Sequence, residues 1–429
     1  MERYYQKEIE CASREQIRTW QDERLVRQVR HVWDNVPYYR AKMEAAHVAP
    51  DDIKGRDDLY KLPFLSKADL REAYPFGLLA EPLEKCIRIH STSGTTGKRV
   101  VAFYTKEDID LWNDCCARAL AAAGAGPEDV CQVAYGYGLF TGGFGLNGGS
   151  QKLGCLTLPM SSGNTDRQLQ FMEDLGSTVL CCTPSYAAYL AESIHERGLR
   201  DKIHLKAGIF GAEAWSEQMR QDIQKSLGIK AYDIYGLTEI YGPGIGISCD
   251  ENAGMHYWDD YVYIEIVDPK TLQPVPDGEE GEIVITTLVK EGAPLLRFRT
   301  HDISKIIPGE CACGNKYPRL DIIKGRSDDM FKVHGVNMFP SQVEEVLGMV
   351  DGVSSEYNIN IAHDEAHNRD IIMVTVEAEG RVDFEQTGQT IKNLFKSKMS
   401  VTPKINVVPV GTLPRTEKKA KRVIDHREV

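Results

Sequence analysis

Five hydroxyls, two glycines and an ammonium fall within eight consecutive residues, Ser91-Thr92-Ser93-Gly94-Thr95-Thr96-Gly97-Lys98. The run lies between two apolar stretches, Ile87–Ile89 and Val100–Phe103. Small residues let backbone approach a ligand closely. Backbone N–H groups, hydroxyls and a lysine are donors suited to phosphate oxygens. The spacing is not that of a GxxxxGK[ST] loop: Gly94 and Gly97 are too close, and Arg99 follows the lysine.

Two further clusters carry chemistry. Tyr135-Gly136-Tyr137-Gly138-Leu139-Phe140-Thr141-Gly142 alternates aromatic and glycine residues, a combination suited to a flat apolar ligand, with Tyr135, Tyr137, Phe140, Gly142 and Ala212 as candidate lining. Cys311-Ala312-Cys313-Gly314 forms a tight knuckle, and Cys249 and His256 lie upstream. Three thiolates and one imidazole make a donor set for tetrahedral Zn²⁺, and four protein ligands leave no open position, so the expected role is structural.

The elements that must position these groups are legible as patterns. Residues 1 to about 85 read as mostly helical and polar, with apolar residues at helical spacing from Ile17 to Trp33. Between 100 and 240, helices and strands alternate. Helices are expected at Lys106–Ala123, Asp166–Leu175, from Pro184 to Gly198, and from a Ser216 cap to Leu227. Strands are expected at Val130–Ala134, Cys155–Leu158, Thr178–Cys182, Ala207–Phe210 and Ile229–Tyr235. Such alternation implies a largely parallel sheet with ligands at its carboxyl edge. Gly211-Ala212-Glu213 and Tyr235-Gly236-Leu237-Thr238-Glu239 both fall at strand ends. From 257 to 307, period-two runs at Tyr261–Ile266 and Glu282–Thr287 read as a smaller antiparallel unit. Beyond a polar, small-residue stretch at Gly325–Asp329, an α+β segment follows, with a helix from Ser341 whose capping box is completed by Glu344. The fold class is therefore α/β: a large N-terminal domain at 1–325, with mixed and parallel sheets, flanking helices and a β subdomain at about 249–320, then a small α+β domain at 326–429.

Composition bounds the function. The chain has 429 residues, 42% hydrophobic and 27% charged, with a net charge of −12. The acidic balance argues against nonspecific nucleic-acid binding. No run approaches a membrane span, and the N-terminus lacks the apolar stretch of a secretion signal. Eleven cysteines, with adjacent pairs at Cys115-Cys116 and Cys181-Cys182 inside apolar segments, suit buried reduced thiols and a cytoplasmic protein.

The 91–98 loop resembles the phosphate loop of the adenylate-forming superfamily. The segment from Tyr135 to Gly143 is very similar to one in its phenylacetate–CoA ligase family, and that family resemblance extends over essentially the whole chain. The resemblance implies a two-step reaction, in which an aryl acid is adenylated by ATP and then passed to coenzyme A, releasing AMP. It carries a Mg²⁺-binding role onto Glu239 and a phosphate contact onto Thr238. Ser91, Thr92, Ser93, Gly94, Thr95, Thr96, Gly97 and Lys98 take the phosphates; Gly211, Ala212, Glu213, Tyr235 and Gly236 take the adenine side. Asp302 in Arg297-Phe298-Arg299-Thr300-His301-Asp302 accepts the ribose hydroxyls, and Arg326 touches the nucleotide. Leu413 to Arg422 resembles the segment that carries the adenylation lysine. Residue-by-residue matching places that lysine at Lys419, although Lys418 stands where glycine is usual and keeps the choice between the two open. Asp328 is the implied pivot of a rotating C-terminal domain, with Lys332 and Gly335 lining the CoA channel. A homodimer and a role in phenylacetate catabolism are also implied. Two rival readings stay open: adenylation with transfer to CoA or to a carrier-protein thiol for a different aryl acid, and a non-catalytic acid- or adenylate-binding regulator. Retention of Glu239, Asp302 and Lys419 argues against the regulator.

Overall fold

The computed structural model describes residues 3–92, 99–327, 331–333, 336–364, 369–399, 401–414 and 422–427. The N-terminal region is helical: α1 (Lys7–Glu10), α2 (Arg14–Asn35), α3 (Pro37–Ala45) and α4 (Lys67–Glu72). Helix α2 starts where the Ser13 hydroxyl accepts from Gln16 N at 3.1 Å, and buries Ile17, Leu25, Val29 and Val32 along one stripe. Helix α4 begins with a reciprocal cap between Ser66 and Asp69.

Strands β1 (Cys86–Ser91) and β2 (Val101–Thr105) form an antiparallel pair in which Ser91 faces Val101. The hydroxyl-rich loop is the connection between them. Then come α5 (Lys106–Ala122), β3 (Val130–Val133), α6 (Thr141–Leu153), β4 (Leu156–Pro159), α7 (Thr165–Asp174), β5 (Val179–Cys182), α8 (Pro184–Glu196), β6 (Ala207–Gly211), α9 (Glu217–Leu227) and β7 (Lys230–Leu237). Strands β4, β3, β5, β6 and β7 lie side by side and parallel. The helices and strands expected from 100 to 240 match these elements to within a few residues, but α6 was not expected, because the glycines at 142, 143, 145, 148 and 149 give a poor helical signal.

Strands β8 (Gly242–Ser248) and β9 (Met255–Tyr257) extend this sheet antiparallel. Strands β10 (Val262–Val267), β11 (Gly281–Thr287) and β12 (Phe298–Ser304) begin a second sheet. The short strands β13 (Ile306–Ile307) and β14 (Arg319–Leu320) return to the first, which has nine strands in the order β13-β14-β9-β8-β7-β6-β5-β3-β4. Strand β15 (Gly325–Arg326) closes the second on β12. The stretch read from sequence as one β unit therefore serves two sheets. Period two reports that a strand is half-buried, not which sheet it joins.

The C-terminal region contains the pair β16 (Phe331–Val333) and β17 (Val336–Met338), then α10 (Pro340–Gly348), β18 (Val353–Asp364), β19 (Arg369–Ala378), α11 (Phe384–Met399), β20 (Lys404–Pro409) and β21 (Val423–Asp425). The last four strands form a sheet in the order β20-β19-β18-β21. Its core is a separate cluster that includes Val343, Leu347, Ile359, Val374 and Phe395. The expected capping box of Ser341 and Glu344 is corrected. Helix α10 starts one residue earlier, at Pro340, and Phe339 N donates to Gln342 Oε1 at 3.0 Å. Glu344 bonds elsewhere. Strand β18 was not singled out in the sequence, although Tyr357, Ile359 and Ile361 alternate at period two, because Asn358 and Asn360 have low strand propensity.

Glycines set the closest packing. A Cβ on Gly145 would lie 2.6 Å from the Trp112 ring, and one on Gly149 would lie 2.3 Å from Cys116 Cβ. Helix α6 can therefore approach α5 only with hydrogen at those positions. A buried charge pair ties α5 to the turn before β10. Arg118 on α5 meets both carboxylate oxygens of Asp260 at 2.8 and 3.1 Å, and Tyr317 Oη donates to the same carboxylate at 2.9 Å. Neither Arg118 nor Asp260 is exposed. No helix among the described residues is long and apolar enough to cross a membrane.

Removing one partner of a buried ion pair leaves an uncompensated charge. Asp260→Ala is expected to lower unfolding stability by about 3–5 kcal/mol, read as a drop in the urea midpoint at unchanged slope.

Candidate active site

The carboxyl edge of the parallel strands collects the candidate groups. The turn after β3 presents Tyr135 and Tyr137, the turn after β6 presents Ala212 and Glu213, and the end of β7 presents Thr238 and Glu239. Side-chain bonds link these turns. Tyr135 Oη donates to Gly211 O at 3.4 Å. The Thr141 and Thr238 hydroxyls lie 3.4 Å apart, and Tyr104 Oη donates to Thr238 O at 3.2 Å. Ala212 holds a left-handed backbone (φ 68°), a costly conformation for a residue with a Cβ.

The root of the hydroxyl-rich loop is anchored to the same edge. Ser91 N donates to Leu139 O at 2.9 Å, within the aromatic segment, and Thr92 N donates to Val100 O at 3.1 Å across the hairpin. Ser93, Gly94, Thr95, Thr96, Gly97, Lys98, Asp328, Gly335, Lys418 and Lys419 lie outside the described residues, as does the side chain of Lys332.

Glu239 is buried, and its Oε1 lies 3.1 Å from Lys67 Nζ. A carboxylate here is a hard oxygen ligand for a divalent cation, and Lys67 is its ion-pair partner. Only the fold brings α4 onto the end of β7.

Asp302 on β12 is bound from both sides. Tyr235 Oη donates to one carboxylate oxygen at 2.7 Å, and Arg326 Nη1 contacts the other at 3.2 Å. Tyr235 is buried, with its hydroxyl committed to Asp302. Glu213 accepts from Ser185 Oγ at 2.5 Å and so stands at the start of α8. Gly236 sits where β7 meets β8: a Cβ there would come within 1.7 Å of Gly242 O.

The aromatic segment is split in environment. Tyr135 is buried, Tyr137 packs edge-on to Phe144 at 5.3 Å, and Phe140 is 51% exposed. A Cβ on Gly142 would lie 3.2 Å from Tyr135, so this glycine serves the packing of α6 on the turn. His90, adjacent to the loop, was also missed in the sequence. It is enclosed by Tyr104, Trp112 and Phe144 at ring distances of 5.3–5.4 Å. Burial pushes its pKa down to about 4, which keeps the ring neutral at pH 7.

The knuckle residues converge. The donor atoms of Cys249, His256, Cys311 and Cys313 all lie within 4.8 Å of one another. Cys249 and Cys311 sulfurs are 3.7 Å apart, and His256 Nε2 is 3.3 Å from Cys313 Sγ. Zn–S bonds of about 2.3 Å at the tetrahedral angle place two sulfurs about 3.8 Å apart. His256 Nδ1 lies 2.9 Å from Tyr317 O. A proton on Nδ1 leaves the Nε2 lone pair facing the thiols, the second-sphere pattern of a metal-bound histidine. The Cys249 thiol is held well below its ordinary pKa, first by Cys313 and then by His256. The donor set therefore fits a tetrahedral soft-metal ion.

Comparison with known proteins agrees with this geometry. Residues 21–288 match the AMP-binding enzyme family, and residues 335–427 match the AMP-binding enzyme C-terminal domain. The chain is 41% identical to a phenylacetate-coenzyme A ligase of Thermus thermophilus, over 99% of this chain and 100% of that one. It is 42% identical to that of Escherichia coli, over 98% and 97%. Among solved structures, 2-hydroxyisobutyryl-CoA ligase in its postadenylation state superimposes with a TM-score of 0.92 at 27% identity, covering 99% of this chain and 93% of that one. The same ligase in its thioesterification state gives 0.73 at 28% identity, covering 99% and 93%. The chain belongs to the AMP-binding enzyme family and, within it, to the AMP-forming acid–thiol ligases of the phenylacetate–coenzyme A ligase type.

Proposed function

We propose that this chain joins phenylacetate to coenzyme A with ATP, releasing AMP and diphosphate, through phenylacetyl adenylate. The observation that carries the proposal is identity above 40% with phenylacetate-coenzyme A ligases along nearly the full length of both chains. The convergence of Ser91 and Thr92, a buried carboxylate and an aromatic turn near one sheet edge supports it.

In this reading a carboxylate oxygen of the acid attacks the α-phosphorus and diphosphate leaves. The CoA sulfur then attacks the acyl carbonyl and AMP leaves. No protein nucleophile is needed. The chain's part is to neutralise charge and hold the reactants in line. Lys419 faces the acid carboxylate and the α-phosphate, Asp302 holds the ribose hydroxyls, and Tyr235 and Arg326 orient Asp302. Mg²⁺, when bound, supplies further charge neutralisation at Glu239, with Thr238 beside it. Lys67 keeps Glu239 paired until then. Residues 1–325 form the portion that binds ATP and the acid; 326–429 form the portion that moves about Asp328 and brings Lys332 and Gly335 to the CoA thiol. Tyr137, Phe140 and the neighbouring Phe144 border the acid. The enzyme works in the cytoplasm, where ATP and CoA are supplied, as a homodimer in phenylacetate catabolism. The Cys249, His256, Cys311 and Cys313 set holds Zn²⁺ in a structural role.

Mass spectrometry of a reaction with ATP, Mg²⁺, CoA and pooled aryl and short aliphatic acids is expected to show phenylacetyl-CoA and AMP. Another acyl-CoA in its place would reassign the acid. Formation of AMP and diphosphate without a thioester would reassign the acceptor.

Glu239→Gln is expected to slow phenylacetate-dependent ATP–diphosphate exchange by about a hundredfold and to raise the Mg²⁺ concentration it needs. Lys67→Met removes the competing cation, so the half-saturating Mg²⁺ concentration should fall. A Mg²⁺ requirement unchanged in both variants rules out Glu239 as the metal ligand.

Elemental analysis of the purified protein is expected to find one zinc per chain. Cys311→Ser should lose the metal and melt at lower temperature, while its folded fraction keeps ATP–diphosphate exchange. A metal-free parent protein of undiminished stability would refute the site.

A further inference from the structure

Helix α9 lacks half of its own cap. Ser216 Oγ accepts from Met219 N at 3.1 Å, the usual half of a capping box. The other half needs a Glu or Gln three residues after the cap, reaching back to the cap's N–H. That position is Met219, which has no acceptor to offer. The Ser216 N–H donates instead to Glu344 Oε1 at 3.0 Å, 128 residues away on α10. Glu344 is the residue whose position in the sequence suggested a cap for its own helix.

The contact is built on both sides. Tyr357 Oη lies 3.5 Å from Glu344 Oε2 and donates to Pro340 O at 3.1 Å, which fixes the start of α10. Gly348, one turn on, meets α9: a Cβ there would lie 3.1 Å from Gln218 Cβ. Ser341 Oγ donates to Lys324 O, so α10 is tied to the large portion at a second point. Burial pushes the Glu344 carboxyl up, whereas the Ser216 N–H and the nearby Arg422 favour its charged form. A carboxylate at the first turn of a helix also meets the positive end of the helix dipole.

The placement matters because this joint connects α9, which follows the Ala212-Glu213 turn, to the C-terminal sheet. The whole chain agrees more closely with the postadenylation state of 2-hydroxyisobutyryl-CoA ligase than with its thioesterification state. A contact present in one arrangement and absent from the other shifts the balance between them by its own free energy.

We propose that Glu344 is a positioning residue for the adenylation step, docking the C-terminal portion by completing the cap of α9 from across the joint. The proposal rests on the ligase reading for its kinetic consequences. Its contact geometry does not depend on that reading.

The test separates the two half-reactions. Loss of one charge-assisted hydrogen bond shifts the docked population by about tenfold. Glu344→Ala should therefore slow phenylacetate-dependent ATP–diphosphate exchange about tenfold. Thioester formation from synthetic phenylacetyl adenylate and CoA should be unchanged or faster. Glu344→Gln, which keeps an acceptor oxygen, should recover most of the exchange. Equal losses in both half-reactions, or no loss in exchange, would overturn the proposal.

A second measurement does not require turnover. In a Gln218→Cys, Gly348→Cys pair, mild oxidation should close a disulfide between α9 and α10, with the parent protein as the control for its own thiols. Adding Glu344→Ala should slow closure several-fold. Unchanged closure would overturn the proposal even if the parent protein shows no ligase activity, which alone would count against the ligase reading. In an active ligase, the oxidised pair should retain exchange and lose thioester formation until a reductant is added. Full thioester turnover by the crosslinked form would also overturn it.

Discussion

Parallel strands can be joined only by crossovers, and crossovers of one hand deliver every following turn to the same edge of the sheet. That constraint builds the site. Strands β3 and β6 are separated in sequence by two strands and three helices, and β6 and β7 by one helix, yet the turns that follow them face one space. The aromatic turn, the Ala212-Glu213 turn and the Thr238-Glu239 end are neighbours because the sheet allows them no other place. Strand β1 is not on this sheet, and the Ser91 N–H donating to Leu139 O ties its end to the same edge.

The cost of gathering charge at such an edge is met by pairing. Glu239 has Lys67, Asp302 has Tyr235 and Arg326, and Glu213 has the start of α8. Each carboxylate is partly withdrawn from water and each has a donor aimed at it, which is the condition for a buried charge to persist. His90 follows the opposite course. Enclosed by three aromatic rings, it gives up its charge. The His90 ring therefore adds no charge beside the aromatic turn, where the Arg88 guanidinium lies 4.8 Å over the Phe144 ring.

The knuckle and the Arg118–Asp260 pair belong to one assembly. Tyr317 donates its hydroxyl to Asp260, and its carbonyl faces His256. The Cys/His set thus touches the ion pair that anchors α5, and α5 is the helix on which α6 and the aromatic turn rest through Gly145 and Gly149. The route from knuckle to aromatic turn is continuous, so the set can affect that turn by rigidity alone.

Much of this was legible in the sequence. The helix start at Pro184, the cap at Ser216, the strand runs between 130 and 235, and the Cys/His set follow from local rules of spacing and donor chemistry. Such signals survive in one dimension because a cap or a period involves residues a few positions apart. The partners that act across the fold did not. Lys67 meets Glu239 over more than 170 residues, Arg326 meets Asp302 by strand register, and Glu344 serves a helix other than its own. The capping-box pattern around Ser341 even pointed the wrong way, because a carboxylate's reach is local in sequence only until a nearer donor arrives in space. The chain's own order determined which groups exist and which elements carry them. Tertiary structure alone decided which charges face each other, since pairing in a folded protein depends on distance through space and burial, neither of which has a period along the chain.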